Sequence, residues 1–343
     1  MDGLLDVLVV GAGPTGLACA VEAMRSNFNV LVVEKGCLVN SIFSYPPGMT
    51  FFTTRERLEI GDIPFPSVNV KPTRAEALEY YRGVAGFYRV PVHYHERVVG
   101  VAGSDGNFEV QTTTADGEQN CYRTRKVIIA TGYYDIPNRM GIPGEGLSKV
   151  SHYYGEAHAF YERKVAVIGG ANSAAIAALD LFRHGAEVTI IHREPELSRH
   201  IKYWIRPDIE NRIKEGSIRA CLATTVTEIT QDAVWVENAQ GERTRIENDF
   251  VFALTGYHPD FEFLRRVGVE IDPGTSRPNC NAKTRESNVP GVYLAGVVIS
   301  GRHTNEIFIE NGRFHGKQIV ADIQKQLGAR APSPTEMAEP ASP

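Results

Sequence analysis

Three glycines at the spacing G-x-G-x-x-G, Gly11-Ala12-Gly13-Pro14-Thr15-Gly16, follow an apolar run from Asp6 to Gly11 and open a helical pattern from Pro14 to Ser26. Leu17, Ala20, Val21 and Met24 share one face of that helix. The chemistry served by this spacing is pyrophosphate binding. Gly11 permits the tight turn, Gly13 admits the phosphates to the backbone, and Gly16 lets helix and strand pack closely. The helix start adds free N–H groups and a positive dipole end, and Pro14 and Thr15 fill its first turn. A second strand, Asn29 to Glu34, ends on an acid 23 residues after Gly11, with Lys35 beside it. An acid there can bind a ribose hydroxyl pair and repels a 2′-phosphate, so the site suits FAD or NAD.

The same order recurs at Gly169-Gly170-Ala171-Asn172-Ser173-Ala174, between a strand pattern, Lys164 to Gly169, and a helical pattern, Ser173 to His184. Alanines replace the second and third glycines, and their small side chains still meet the packing need. Glu187 to Arg193 is the next strand. At the spacing occupied by Glu34 in the first unit stands His192, followed by Arg193, with Arg199 and Lys202 just beyond. The acid has given way to bases. Arg can pair with a 2′-phosphate bidentately, so this site is expected to take NADP(H).

One FAD site and one NADP(H) site together imply hydride transfer from nicotinamide to flavin, with the cofactors supplying the chemistry and the protein position and electrostatics. Thr304-Asn305-Glu306-Ile307-Phe308 reads as the capped start of a last long helix running from about Asn305 to Leu327. Its N-terminus, aimed at the flavin N1/O2 edge, would stabilise the reduced anion.

Two strand–glycine turn–helix units, each followed by a strand ending Thr-Gly-Tyr (Ile128 to Tyr133 and Phe252 to Tyr257), describe an internal duplication. A third apolar strand, Gly291 to Gly296, precedes the last helix. The expected organisation is an FAD-binding domain in two parts, 1–149 and 255–327, with an NADP-binding domain at 150–254 and a crossing near Pro143 and Gly144. Hairpin-like strands at 93–127 would cap the first part. A tail at 328–343, rich in Ala, Pro, Ser and Glu, is expected to be disordered.

The 343 residues suffice for two domains, and 43% hydrophobic with 22% charged residues is the balance of a soluble globular protein. No apolar stretch of the roughly 18 residues needed to span a bilayer occurs, and the N-terminus lacks the basic start of a signal peptide. A net charge of −5 argues against nucleic acid as a partner. Cys19, Cys37, Cys121, Cys221 and Cys280 are odd in number, scattered and never C-x-x-C, which points to a reducing cytosol. No metal site is expected, and a homodimer is the default assembly.

Between and around the glycine loops lie Val39-Asn40-Ser41-Ile42 with Tyr45-Pro46, Thr50-Phe51-Phe52, Ile60-Gly61-Asp62 and Ala130-Thr131-Gly132-Tyr133-Tyr134. Further on come Ile201-Lys202 with Trp204, Thr255-Gly256-Tyr257-His258-Pro259-Asp260 and Ile307-Phe308-Ile309-Glu310-Asn311-Gly312. From Asp6 to about Ile323 these segments resemble the thioredoxin-reductase-like flavoproteins, and within them the bacillithiol-disulfide reductase family. The resemblance implies an α/β fold of two Rossmann-like, three-layer ββα domains, the thioredoxin-reductase-like class II pyridine nucleotide-disulfide oxidoreductase fold. It implies Asn40, Ser41, Phe52 and Asp62 near the flavin, Thr131 and Gly132 on the FAD side of the domain crossing, and Gly296, Asn305, Glu306 and Ile307 at the same cofactor.

Three departures shape the expected chemistry. The two positions where thioredoxin reductases carry their dithiol fall on His152 and Gly155, with Tyr153 and Tyr154 between, so a protein disulfide relay is excluded. Members of the bacillithiol-disulfide reductase family often carry a cysteine where this chain has Thr15; Cys19, one turn along, reads as a packed core residue ahead of a substitute thiol. The Asp that usually follows Ala-Gly in the third strand is Val297. The expected activity is an NADPH-dependent flavin reductase acting on a low-molecular-weight disulfide such as bacillithiol disulfide, or on a small redox protein. His152, Tyr153, Tyr133 and His303 are candidates to line a pocket over the flavin. Ferredoxin- or flavodoxin-NADP reduction, flavin monooxygenation and a non-enzymatic NADPH-sensing role stand behind that reading in this order.

Overall fold

The computed structural model describes residues 3–328, so the tail expected to be disordered lies, from residue 329 on, outside the described residues. The chain forms two compact units. One comprises residues up to Ser44, Gly48–Ile136 and Tyr257 onwards; the other comprises Tyr45–Pro47 and Pro137–Gly256. Pro143 and Gly144 belong to the second: the Ile229 amide donates to the Pro143 carbonyl at 2.9 Å, and a side chain at Gly144 would run into the Ile229 backbone.

In the first unit, β1 (Leu5–Val10) is buried along its whole length, as a strand covered on both faces must be. After α1 (Pro14–Arg25) come β2 (Val30–Val33), a single turn α2 (Asn40–Phe43), and α3 (Arg74–Phe87). A capping box starts α3: Thr73 accepts from the Glu76 amide while the Glu76 carboxylate accepts from the Thr73 amide at 2.7 Å. A short β3 (Val92–His93) leads to a meander of β4 (Glu96–Ser104), β5 (Asn107–Thr114) and β6 (Gln119–Ile129).

The strand order is β3-β2-β1-β6-β5-β4. β6 does two jobs: its first half pairs antiparallel with β5, and its second half pairs parallel with β1, Val10 opposite Ile129. The strands around 93–127 are continuous with the main sheet through β6, and β5 folds back over one face of its parallel part. Alternation along the sheet makes two cores. Leu8, Val10, Leu31, Val33, Val127 and Ile129 pack with Phe108 and Val110 of the meander and with Phe263 and Leu264. Val7, Val9, Val30, Val32 and Ile128 pack on the other face with Cys19, Ala20, Ile319 and Ile323 of the helices. Period-two alternation thus yields a three-layer ββα stack.

The second unit repeats the plan. Beyond the short strands β7 (Ile136–Pro137) and β8 (Val150–Ser151), β9 (Lys164–Ile168), α4 (Asn172–Arg183) and β10 (Glu187–Ile191) form the β-α-β core. After α5 (Arg206–Lys214) and β11 (Arg219–Cys221), a meander of β12 (Thr224–Ile229), β13 (Ala233–Asn238) and β14 (Arg243–Glu247) covers one face, and β15 (Phe250–Ala253) returns to the sheet. The parallel order is β11-β10-β9-β15-β8. Val226, Val234, Val236 and Ile246 of the meander bury against Ala166, Ile168, Ile191 and Val251.

The first unit resumes with β16 (Tyr257–His258), α6 (Phe261–Arg266) and β17 (Val292–Leu294), which joins β6 in parallel. One expectation is corrected here. The last long helix does not begin at Asn305: residues 304–308 are not helical, α7 (Ile309–Gly312) is a single turn, and α8 (His315–Leu327) is the long helix. Asn311 explains the late start, because its Oδ1 takes the Phe308 amide at 2.8 Å and its Nδ2 donates to the Glu306 carbonyl at 3.0 Å. α8 then lies directly on α1, with Gly316 so close to Ala18 and Cys19 that a β-carbon would stand 2.9 Å from their backbone.

Candidate active site

The first glycine loop has the geometry that a pyrophosphate site needs. Gly11 has φ +103°, and a β-carbon there would lie 2.8 Å from the Ala130 carbonyl oxygen; one on Gly16 would strike the Gly11 carbonyl. At Gly13, the cap of α1, nothing comes within 4 Å of the β-carbon position. The protein's own packing therefore demands glycine at 11 and 16 but not at 13, where the open cradle fits a phosphate approaching the helix start.

Glu34 faces this loop. Its Oε2 accepts from the Ala12 amide at 2.7 Å and its Oε1 from the Gly36 amide at 2.9 Å. Burial raises its pKa, and the two amides only partly oppose that. The segment after it returns to the same place: the Val39 amide donates to the Ala12 carbonyl at 3.1 Å, which brings Asn40 and Ser41, in the first turn of α2, beside the loop. Asn40 folds its side chain over Gly36, and Lys35 pairs with Asp135 at 2.5 Å. Thr131 adjoins Gly11, and its Oγ1 is enclosed without a hydrogen-bond partner. Gly132, next along, has φ +72°.

The second half of the fold completes the site from below. β-carbons on Gly296 and Gly312 would press on Thr15, the latter 3.0 Å from its Oγ1, and Ile307 lies against Gly312. One expected residue sits away from this loop. Asp62 is at the far end of α1 from the glycine loop, paired with Arg25 at 2.6 Å and Lys317 at 3.6 Å. Glu306 is held by Arg277 at 2.6 Å, with Asn305 and His303 exposed beside it. Phe52 is half-buried next to Phe51, whose amide is bonded to the Pro72 carbonyl.

In the second loop, Gly169 has φ +141°; a β-carbon there would lie 2.6 Å from the Leu254 carbonyl oxygen and 3.2 Å from the Ala174 methyl. Ala174 thus takes the place of Gly16 at the limit of what fits. Gly170 is filled by the His192 ring, which lies where its β-carbon would be. Desolvation lowers the His192 pKa; Glu194 opposes it and Arg193 adds to it. Asn172 clamps the following loop across the start of α4: its Oδ1 accepts from the Lys202 amide at 3.0 Å and its Nδ2 donates to the His200 carbonyl at 3.1 Å. The Ser198 amide reaches the Gly170 carbonyl at 2.8 Å. Arg199 and Lys202 are thereby drawn to the helix start beside Ser173, while Arg193 is 79% exposed and faces Glu194 at 3.5 Å.

The candidates for a catalytic role, Cys19, His152 and Tyr133, fare differently. Cys19 has no exposure at all, and burial pushes its thiol up to about 12, so it cannot stand in for a thiolate at Thr15. Burial also raises Cys37 and Cys221, and takes Cys280 to about 11. His152 does not line an open pocket: it is buried, its Nδ1 donates to the Ala253 carbonyl at 3.2 Å, and its Nε2 faces Glu145 at 3.4 Å. Tyr154 bonds Asp180, while Tyr153 is partly exposed. Tyr133 is half-buried, edge-on to Tyr257.

His315 escaped the sequence reading, since nothing in the motifs marks it. It opens α8, is buried, and its Nδ1 accepts from the Gly296 amide at 3.0 Å, with burial pulling its pKa down to about 4. Among the described residues no helix is long and apolar enough to cross a membrane, and no cluster of metal-ligating side chains occurs.

Two ββα units, each with a glycine loop at a helix start, one facing an acid and the other a base, define a pyridine nucleotide-dependent flavoprotein of the thioredoxin-reductase-like class. The pyridine nucleotide-disulphide oxidoreductase family model matches residues 8–296, and the chain belongs to that family of FAD- and NADPH-using disulfide oxidoreductases. The chain is 47% identical over 320 residues to the bacilliredoxin reductase Bdr of Bacillus subtilis (strain 168), covering 93% of this chain and 97% of that one. The bacillithiol disulfide reductase Bdr (YpdA) structure from Bacillus cereus superposes with a TM-score of 0.92 at 45% identity, covering 94% of this chain and all of that one. Thioredoxin reductase of T. acidophilum gives 0.73 at 25% identity over 94% and 98% of the two chains.

Proposed function

We propose that this enzyme passes electrons from NADPH through FAD to a bacillithiol-type disulfide, free or carried on a small redox protein, without any thiol of its own. The observation that carries the proposal is the contrast between the two second-strand ends. Glu34 suits a ribose without a 2′-phosphate, whereas His192, Arg193, Arg199 and Lys202 suit one with it. The first unit therefore takes FAD, with Gly11, Gly13, Thr15, Gly16, Glu34, Asn40, Ser41, Thr131 and Gly296 around it. The second takes NADPH. Bound FAD would supply two-electron chemistry, and the chain's residues would hold it, exclude water and orient the incoming nicotinamide.

The substrate class comes from the printed names of the relatives, a bacilliredoxin reductase and a bacillithiol disulfide reductase. The thiol-free route is supported by the segment where the dithiol would stand: His152 at one of its two positions is committed to Ala253, Tyr154 just before the other is committed to Asp180, and that other position is Gly155. A homodimer in the reducing cytosol fits the unpaired cysteines and the fold class. NADPH consumption should be followed anaerobically with bacillithiol disulfide, with a bacilliredoxin–bacillithiol mixed disulfide and with ferredoxin, and then in air without them. Turnover with either disulfide is expected. Turnover with oxygen alone, yielding peroxide, would overturn the substrate class, and turnover with ferredoxin alone would make it a ferredoxin reductase.

A further inference from the structure

β4 opens on Glu96, a carboxylate only 4% exposed. Burying a carboxylate is costly unless it is well supplied with donors, and this one is. The Thr112 hydroxyl of β5 donates to Oε1, as does Asn120 Nδ2 of β6 at 3.1 Å. The Tyr122 hydroxyl donates to Oε1 at 2.9 Å and approaches Oε2 at 3.1 Å. His93 Nδ1 lies 2.8 Å from the Tyr122 oxygen and 3.3 Å from Glu96 Oε2. Because the tyrosine proton goes to the carboxylate, its oxygen accepts from the imidazole. Burial raises the Glu96 pKa, but these donors and His93 together hold it below the usual value.

The backbone on either side of this network grips Glu34. The Glu34 amide donates to the His93 carbonyl at 2.8 Å, the Glu96 amide to the Glu34 carbonyl at 2.9 Å, and the His95 amide to the Gly36 carbonyl at 3.1 Å. β3 pairs with β2 at only two positions, Val32 with Val92 and Val33 with His93, and His95 is left-handed at φ 55°. β1 holds one side of β2 as far as Val33, with the Gly11 amide on the Val33 carbonyl at 2.8 Å. On the other side, so short a ladder with a left-handed bend after it leaves the Glu34 peptide to the bonds from His93 and Glu96. The side-chain network ties that bend to β5 and β6.

We propose that Glu96 is a positioning residue for the flavin-nucleotide site: through His93, Tyr122 and its own amide it holds the Glu34 peptide so that the Glu34 carboxylate meets the glycine loop. This rests on the assignment of Glu34 to the FAD ribose. The test is FAD titration of the apoprotein for Glu34→Gln, Glu96→Ala, Glu96→Gln and the Glu34→Gln/Glu96→Ala double variant, with NADP⁺ binding measured alongside. Glu34→Gln and Glu96→Ala should each raise the FAD Kd about ten-fold, and the double variant should be no worse than about two-fold beyond Glu34→Gln, because one residue acts through the other. Glu96→Gln, which keeps an acceptor for Thr112 and Tyr122, should recover most of the affinity, and NADP⁺ binding should not move. If Glu96→Ala does not fold, Tyr122→Phe removes one donor and should raise the FAD Kd about three-fold, again without compounding Glu34→Gln. A weakened Glu34→Gln beside an unchanged Glu96→Ala or Tyr122→Phe, or effects that multiply, overturns the positioning role alone. An unchanged Glu34→Gln overturns the ribose assignment and this role with it.

Discussion

The His192 imidazole occupies the place that a β-carbon on Gly170 would need. This contact couples the second glycine loop to the end of β10. Gly170→Ala should displace the ring and the anion site it borders, raising the NADP⁺ Kd about ten-fold with FAD content unchanged, as titration calorimetry and the flavin spectrum would show.

Arg193 is mostly exposed, as a residue that meets a ligand and not the protein should be. Arg193→Glu reverses its charge beside the expected 2′-phosphate. The KM for NADPH should rise at least about ten-fold while that for NADH changes little, because only the phosphorylated coenzyme meets the new repulsion. Equal changes in steady-state assays with the two coenzymes would refute the role.

Glu34 illustrates function held against stability. Its folded-state pKa is raised above the ordinary 4.5, chiefly by burial. The folded state then binds the proton more tightly than the unfolded one, so Glu34 costs stability as pH rises through this window. Apoprotein carrying Glu34→Gln should be at least as stable as wild type to urea at pH 7, with the difference shrinking toward pH 4. A clear loss of stability at pH 7 would show that the two amide bonds outweigh burial.

His315 has the opposite sign. Its pKa falls from 6.5 to about 4 on folding, chiefly because burial disfavours the charged ring, with Arg285 adding to it; the neutral ring accepts the Gly296 amide at Nδ1. Stability from this group is present above 6.5 and is lost as pH falls toward 4. His315→Gln, which can still accept that amide, should flatten the acid limb of the urea-unfolding profile between these values. An unchanged limb would assign the acid loss to other groups.

Much of this was legible in the chain because it depends on local spacing. Both glycine loops, Glu34 and the His192–Arg193 pair follow from strand–turn–helix periodicity and a fixed 23-residue interval. What depends on tertiary packing was not. Cys19 reads correctly as a packed core residue, but that α8 is what covers it does not show in the sequence, and His152 looks available until its bond to Ala253 is seen. Thr304 to Phe308 carries helix-start residues, yet Asn311 caps the chain later. The Glu96 network joins β3 to β6 by side chains that no short motif links.

The central claim is that electrons reach the disulfide without a protein thiol. The direct measurement is anaerobic stopped-flow reduction by NADPH, followed by reoxidation with bacillithiol disulfide, of the protein bearing Cys→Ser at positions 19, 37, 121, 221 and 280. Flavin bleaching and disulfide-driven recovery should both stay within about two-fold of wild type, since most of these thiols are held protonated by burial. Normal bleaching with no recovery of the flavin would contradict it, and would place a cysteine in the path.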